Sequence, residues 1–102
     1  MYEYPCRLIR VVNGNTVEAI IDLGFGISID QKIRLFGVDN TDDGMTALIK
    51  LLPRKFICHT VYNKRGKVGR VLGHIYAEEA TGTLLNINDI MITQGFAINK
   101  VA

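Results

Sequence analysis

Hydrophobic and polar positions change period several times along the chain, and the changes divide it into elements. Residues 4–12 (YPCRLIRVV) alternate as a strand, with Leu8 and Val12 on one face and Arg7, Ile9 and Val11 on the other. Asn13-Gly14 reads as a hairpin turn, and 16–22 (TVEAIID) resumes as a second strand. LGFG makes another turn, after which 27–36 (ISIDQKIRLF) alternates through Ile27, Ile29, Ile33 and Leu35. Three strands with short connections predict an antiparallel meander.

The period then lengthens. Met45, Leu48, Ile49 and Leu52 stand at i, i+3, i+4 and i+7, the stripe of an amphipathic helix. Thr41, Asp42 or Asp43 caps its start and Pro53 stops it. Residues 55–62 (KFICHTVY) predict a fourth strand, NKRGKVG a basic hairpin loop, and 70–78 (RVLGHIYAE) a fifth. EATGT turns the chain again. Asn86 with Asp89 predicts a capped second helix carrying Ile87, Ile90 and Met91, ended by Gly95. Five strands with a helix between the third and fourth is the layout of an OB-fold barrel. The fold class expected is therefore an all-β barrel with helices (α+β), one domain over 1–102. Its core is expected to include Leu8, Ile20, Ile33, Leu35, Leu48, Val61 and Ile75.

Composition narrows the class. A chain 48% hydrophobic and 22% charged is an ordinary globule and not a disordered tail. A net charge of +2 implies no polyanion partner by itself, but its distribution is uneven. Lys64, Arg65, Lys67 and Arg70 fall within one short stretch, and Asp39, Asp42 and Asp43 within another. The basic loop is either a solvated hairpin or a nucleic-acid contact. No apolar run reaches the ~20 residues that span a bilayer, so no membrane partner is expected. The opening MYEYPCRLIR lacks a signal-peptide pattern, which suits a cytoplasmic chain or a mature secreted one. Cys6 and Cys58 lack metal or redox spacing and read as buried thiols. His59, His74, Tyr62 and Tyr76 read as strand residues, with one tyrosine able to offer a base-stacking face. Nothing in the sequence fixes an oligomeric state.

Three features carry candidate chemistry. Arg34 closes the third strand, Arg70 opens the fifth, and the acidic loop DNTDD lies between them in sequence. Two guanidinium groups facing carboxylates suit a phosphodiester, held bidentately while a divalent ion neutralises its charge. Arginines at strand ends are also commonly solvated or paired. The turn NGNTV places two amides, Asn13 and Asn15, where two carboxylates would make a cation site. It is either a plain hairpin or a metal site without its charge.

IRVVNGNTVEAII followed by IRLFGVDNTD resembles the opening of the staphylococcal nuclease (thermonuclease-like) family, which pairs I-D-G-D-T-V with R-L-x-x-V-D-T-P-E. GKVGRVLGHIY and the later QGFA are similar to its K-Y-G-R-x-L-A-Y-I-Y and Q-G-x-A segments, so the likeness spans roughly residues 7–101. The resemblance implies phosphodiester hydrolysis in DNA or RNA, single-stranded or frayed, assisted by a divalent cation, calcium. It makes Arg34 and Arg70 phosphate-binding and Asp39 a metal ligand, with Asn40 or Thr41 beside it. It makes Asp42 the general base, with Asp43 its rival, and Lys67 a neighbour of the bound nucleotide. Departures fall in the turn: Asn13 and Asn15 replace both family aspartates, and the second of these is a direct metal ligand. An asparagine carbonyl coordinates calcium without contributing charge. Val68 replaces a tyrosine beside the nucleotide. The function expected is thus a metal-assisted nuclease with a weakened metal site, its rivals a non-catalytic nucleic-acid-binding module and, since one fold hosts unrelated functions, a protein-interaction module.

Overall fold

Alternation builds the first half of the chain as three long strands, β1 (Glu3–Asn13), β2 (Thr16–Gly24) and β3 (Ile27–Leu35). In the computed structural model, which describes residues 3–61 and 70–97, they form the expected antiparallel meander. Helix α1 (Asp42–Leu51), β4 (Lys55–Thr60) and β5 (Arg70–Glu78) follow. A short strand β6 (Leu84–Asn86), absent from the sequence reading, pairs with β5 before helix α2 (Ile87–Met91). The sheet order is β3-β2-β1-β4-β5-β6, and parallel pairing of β3 with β5 (Lys32↔Arg70 to Leu35↔Gly73) closes five strands into a barrel. This is the OB-type barrel with two short helices that the element order predicts. Among the described residues no helix is long and apolar enough to cross a membrane.

Inward positions of the strands supply Cys6, Val17, Ala19, Ile21, Ile33, Leu35, Phe56, Cys58 and Ile75, all buried. Two expectations about this face are corrected. Register shifts in β1 between Leu8 and Arg10, and between Val11 and Asn13, are β-bulges. Each inserts a residue and inverts the alternation after it, so Leu8 and Val11 pack on the core from the same side and Ile9 is exposed. On β2 the odd positions face inward, which leaves Ile20 half-buried; Val61 is half-buried too.

Helix α1 is capped by Thr41, whose Oγ1 accepts a hydrogen bond from the Gly44 amide at 2.8 Å. It stops at Leu51 because Leu52 precedes Pro53 and takes extended ψ. Its stripe is offset from the one expected: Gly44 and Leu48 are buried and Ala47 and Leu51 pack on the core, but Ile49 is 58% exposed. The reason is a contact between small groups. A Cβ on Gly44 would lie 2.8 Å from Thr41 Oγ1 and 3.4 Å from Gly14 O, so this face of the helix sits flush on the β1–β2 turn. Backbone proximity fixes the rotation of the helix, and hydrophobic periodicity does not record it.

Helix α2 starts at Asn86, whose Oδ1 accepts from the Asp89 amide. The chain then widens through Ile92–Phe96 and ends helically at Gly95, at φ 98°. Asn88 in this helix is fully buried. Its Nδ2 donates to Phe36 O and Gly73 O, both at 3.0 Å, and its Oδ1 accepts from Ile75 N at 3.0 Å. One amide thereby fastens the helix to the end of β3 and the middle of β5.

Candidate functional site

The turn between β1 and β2 is a two-residue loop, Gly14-Asn15, closed by the pair Asn13↔Thr16. Neither loop residue has positive φ, so this is not the left-handed turn for which Asn-Gly is usually selected. Gly14 is required for another reason: a Cβ there would overlap the backbone O and N of Thr41. The acidic loop therefore lies directly against the turn.

Side-chain amides hold the two loops together. Gly14 N donates to Asn40 Oδ1 at 2.9 Å, and Asn15 Nδ2 donates to Val38 O at 3.1 Å. Asn15 N donates to Asn13 Oδ1, and Thr16 Oγ1 donates to Asn15 Oδ1, both at 3.0 Å. Val38 O is only an acceptor, which fixes the nitrogen of the Asn15 amide upon it. Asp39 sits between these two clamps, with its own amide donating to Phe96 O at 2.7 Å. Its side chain is exposed, and Oδ1 accepts from Asn40 N.

Arg34 is the cross-strand partner of Thr16 and shares its side of the sheet. Ile33 and Leu35, both buried, point inward, so Arg34 points outward. It is half-buried and has no carboxylate partner among the described residues. Arg10 is a contrast: its Nε lies 2.8 Å from Glu18 Oε1. A hydrogen bond from Asp30, and then Arg10, hold Glu18 below the usual carboxylate range, and sharing with Glu18 raises Asp30. The outer face of β2–β3, one of the surfaces on which OB-folds bind oligonucleotides, carries this Arg10–Glu18–Asp30 cluster, while Arg34 beside the turn has no ion pair among the described residues.

Of the candidate residues, Asn15, Asp39, Asn40 and Arg34 converge on one end of the barrel. Asp42 and Asp43 occupy the exposed first turn of α1, where their charges also complement the helix dipole. Arg70 opens β5 in register with Lys32. Lys64, Arg65 and Lys67 lie outside the described residues.

The donor set is poor in charge for a calcium site. Asn15 Oδ1 and Asn40 Oδ1 already accept hydrogen bonds, and both are neutral. Asp39 is the single carboxylate between the clamps, whereas calcium takes six to eight oxygens, with carboxylates supplying the charge. No group of three or more His, Cys, Asp or Glu side chains able to hold a metal occurs among the described residues. What the end of the barrel offers is a half-buried guanidinium, without an ion pair among the described residues, next to a clamped turn. Sequence reading missed Gly44, Asn88 and Phe36. Asn88 carries a signal, an amide inside an apolar stripe; Gly44 and Phe36 carry none.

No protein-family model matches the chain, and no curated protein matches it at a significant level.

Proposed function

We propose that the domain binds single-stranded DNA or RNA through its sugar–phosphate backbone and does not hydrolyse it. The observation that carries this reading is Arg34, half-buried and without a carboxylate partner among the described residues. A guanidinium held this way presents its fork to a phosphate, whose charge it neutralises and whose oxygens it binds in pairs. The motif resemblance to the staphylococcal nuclease family supports a nucleic-acid ligand, and the OB-type barrel is compatible with one. The amide clamps favour binding over hydrolysis, because Asn40 Oδ1 and Asn15 Nδ2 hold the acidic loop on the turn while Asn15 Oδ1 accepts from Thr16, so the amides supply no charge for a cation.

Binding that rests on phosphate contacts is salt-dependent. Titration of a fluorescently labelled single-stranded oligonucleotide at several salt concentrations tests it. Wild type binds with affinity that falls as salt rises, and Arg34→Ala weakens binding for every sequence and lowers the salt slope by about 1. Equal affinity of the two proteins at all salt concentrations would remove Arg34 from the reading. A second reading, metal-assisted phosphodiester hydrolysis, draws support from Asp39, held by its neighbours at the same end of the barrel. Divalent-dependent shortening of the oligonucleotide would select it.

A further inference from the structure

We infer that Phe36 is a base-stacking seat for the nucleotide whose phosphate Arg34 holds; this rests on the nucleic-acid reading above and adds a residue and a contact to it. Arg34 faces outward between the buried Ile33 and Leu35 of β3, and Phe36, two positions on and just past the last strand residue, faces outward too, its ring against His74, which lies between the buried Gly73 and Ile75. That spacing is roughly 7 Å, within the reach of one nucleotide from its phosphate to its base. Phe36 is 45% exposed, and a lone exposed apolar residue is ordinary. The fixing of this one is not. Its N donates to Gly73 O at 2.9 Å, and its O accepts from Nδ2 of the fully buried Asn88 at 3.0 Å. Its ring leans on His74, with centroids 5.5 Å apart and planes at 49°. Gly37, at φ 79°, then turns the chain away toward Asp39.

Backbone bonds at N and O fix where the side chain starts and the His74 contact limits the ring, so less freedom is left to lose on binding. The resulting contact is an aromatic face beside a cation, a pairing that single-strand-binding proteins use without reading sequence. The ring row continues across the barrel. His74 is the cross-strand partner of His59, whose ring lies 4.2 Å from that of Tyr76. Phe36 is its exposed end.

The chain contains no tryptophan, so Phe36→Trp installs a single reporter at the seat. Titrating this variant with an oligothymidylate is expected to quench its fluorescence, and a base-free sugar–phosphate oligomer leaves the signal unchanged. In a polarisation assay Phe36→Ala should bind the oligothymidylate about five- to a hundredfold more weakly than wild type. The same variant should bind the base-free oligomer as wild type does. Phe25→Ala, which removes the fully exposed ring at the far hairpin tip, should change neither. If wild type binds and the tryptophan signal does not respond, or Phe36→Ala retains full affinity, the stacking seat is wrong and the phosphate reading stands. If wild type fails to bind either oligomer at low salt, the nucleic-acid reading itself is wrong.

Discussion

Two glycine-bearing hairpin turns join the first three strands, and they use glycine for opposite reasons. At the β1–β2 turn, Gly14, Asn15 and Thr16 are buried, none takes a left-handed conformation, and the glycine is needed because Thr41 presses on it. At the β2–β3 turn, Gly24, Phe25 and Gly26 have φ of 86°, 56° and 75°, and a Cβ on either glycine would meet nothing within 4 Å. The first turn is held by its neighbours and the second by its own backbone. Rigidity therefore concentrates at the end that carries Arg34, while the β2–β3 hairpin runs on exposed beyond Ile21, the last β2 residue paired to β1. A phosphate seat needs the first kind of turn, since positioning depends on contacts that do not yield.

The largest expected effect is alkaline destabilisation through two buried thiols, one of them at the boundary between the two regions. Cys6 is paired with Ile21 where the hairpin leaves the barrel, and Cys58 lies on the neighbouring β4. Burial pushes the Cys6 thiol up to about 11 and the Cys58 thiol up to about 12. The unfolded chain, with thiols near the ordinary 9.0, loses those protons first. Stability from this source is complete below pH 9 and is lost as pH rises through 11 to 12. Urea midpoints measured from pH 8 to 11 should fall steeply for wild type and less steeply for Cys58→Ala. An identical slope in the two proteins would take the thiol out of the explanation.

Next in size is Gly14→Ala, which sets a methyl group against the Thr41 backbone. Overpacking of this kind costs about 1–3 kcal/mol, and a backbone neighbour places the variant at the upper end. Gly24→Ala is the matched control: there is room for its methyl group, and only the left-handed backbone opposes it, at roughly 1 kcal/mol. Thermal melts of the two variants should rank them in that order. The reverse ranking would mean that the first turn is not clamped.

These contacts separate what the sequence could announce from what it could not. The first five strands, both helices and their caps, and the barrel order were legible, because each follows from local periodicity or a capping side chain, whereas the three-residue β6 is too short to show a period. Thr41, Asn86, Pro53 and Gly95 act as their residue types predict. The inverted alternation of β1 was not legible, since a bulge leaves no mark on hydrophobicity. Nor was the rotation of α1, which depends on Gly44 meeting Gly14 across 30 residues of chain. The candidate site follows the same division. Arg34 and the acidic loop were singled out from the residues, and Asp39 and Asn15 as metal-site positions from the resemblance, but the contact of Asn15 with Val38 O is one that only the fold creates.

Smaller effects refine the contrast. Thr41→Ala removes the cap at the clamped turn and should cost about 1 kcal/mol, with a matching loss of oligonucleotide affinity if the loop shifts. Phe25→Asn, at the other turn, places in the left-handed region a residue that tolerates it. It should be neutral or stabilising by about 0.5 kcal/mol and leave binding unchanged. Urea melts of both variants decide the matter, and a destabilised Phe25→Asn would show that the exposed ring is held by something other than its turn.

The central proposal is that, with the turn and the acidic loop held together by amide hydrogen bonds, Arg34 binds phosphate and no hydrolysis follows. One labelled single-stranded oligonucleotide, incubated with the protein in excess EDTA and in millimolar calcium, tests it most directly when affinity and product length are read from the same samples. The account predicts equal affinity in both conditions and an intact oligonucleotide in both. Calcium-dependent shortening that disappears in Arg34→Ala would contradict it.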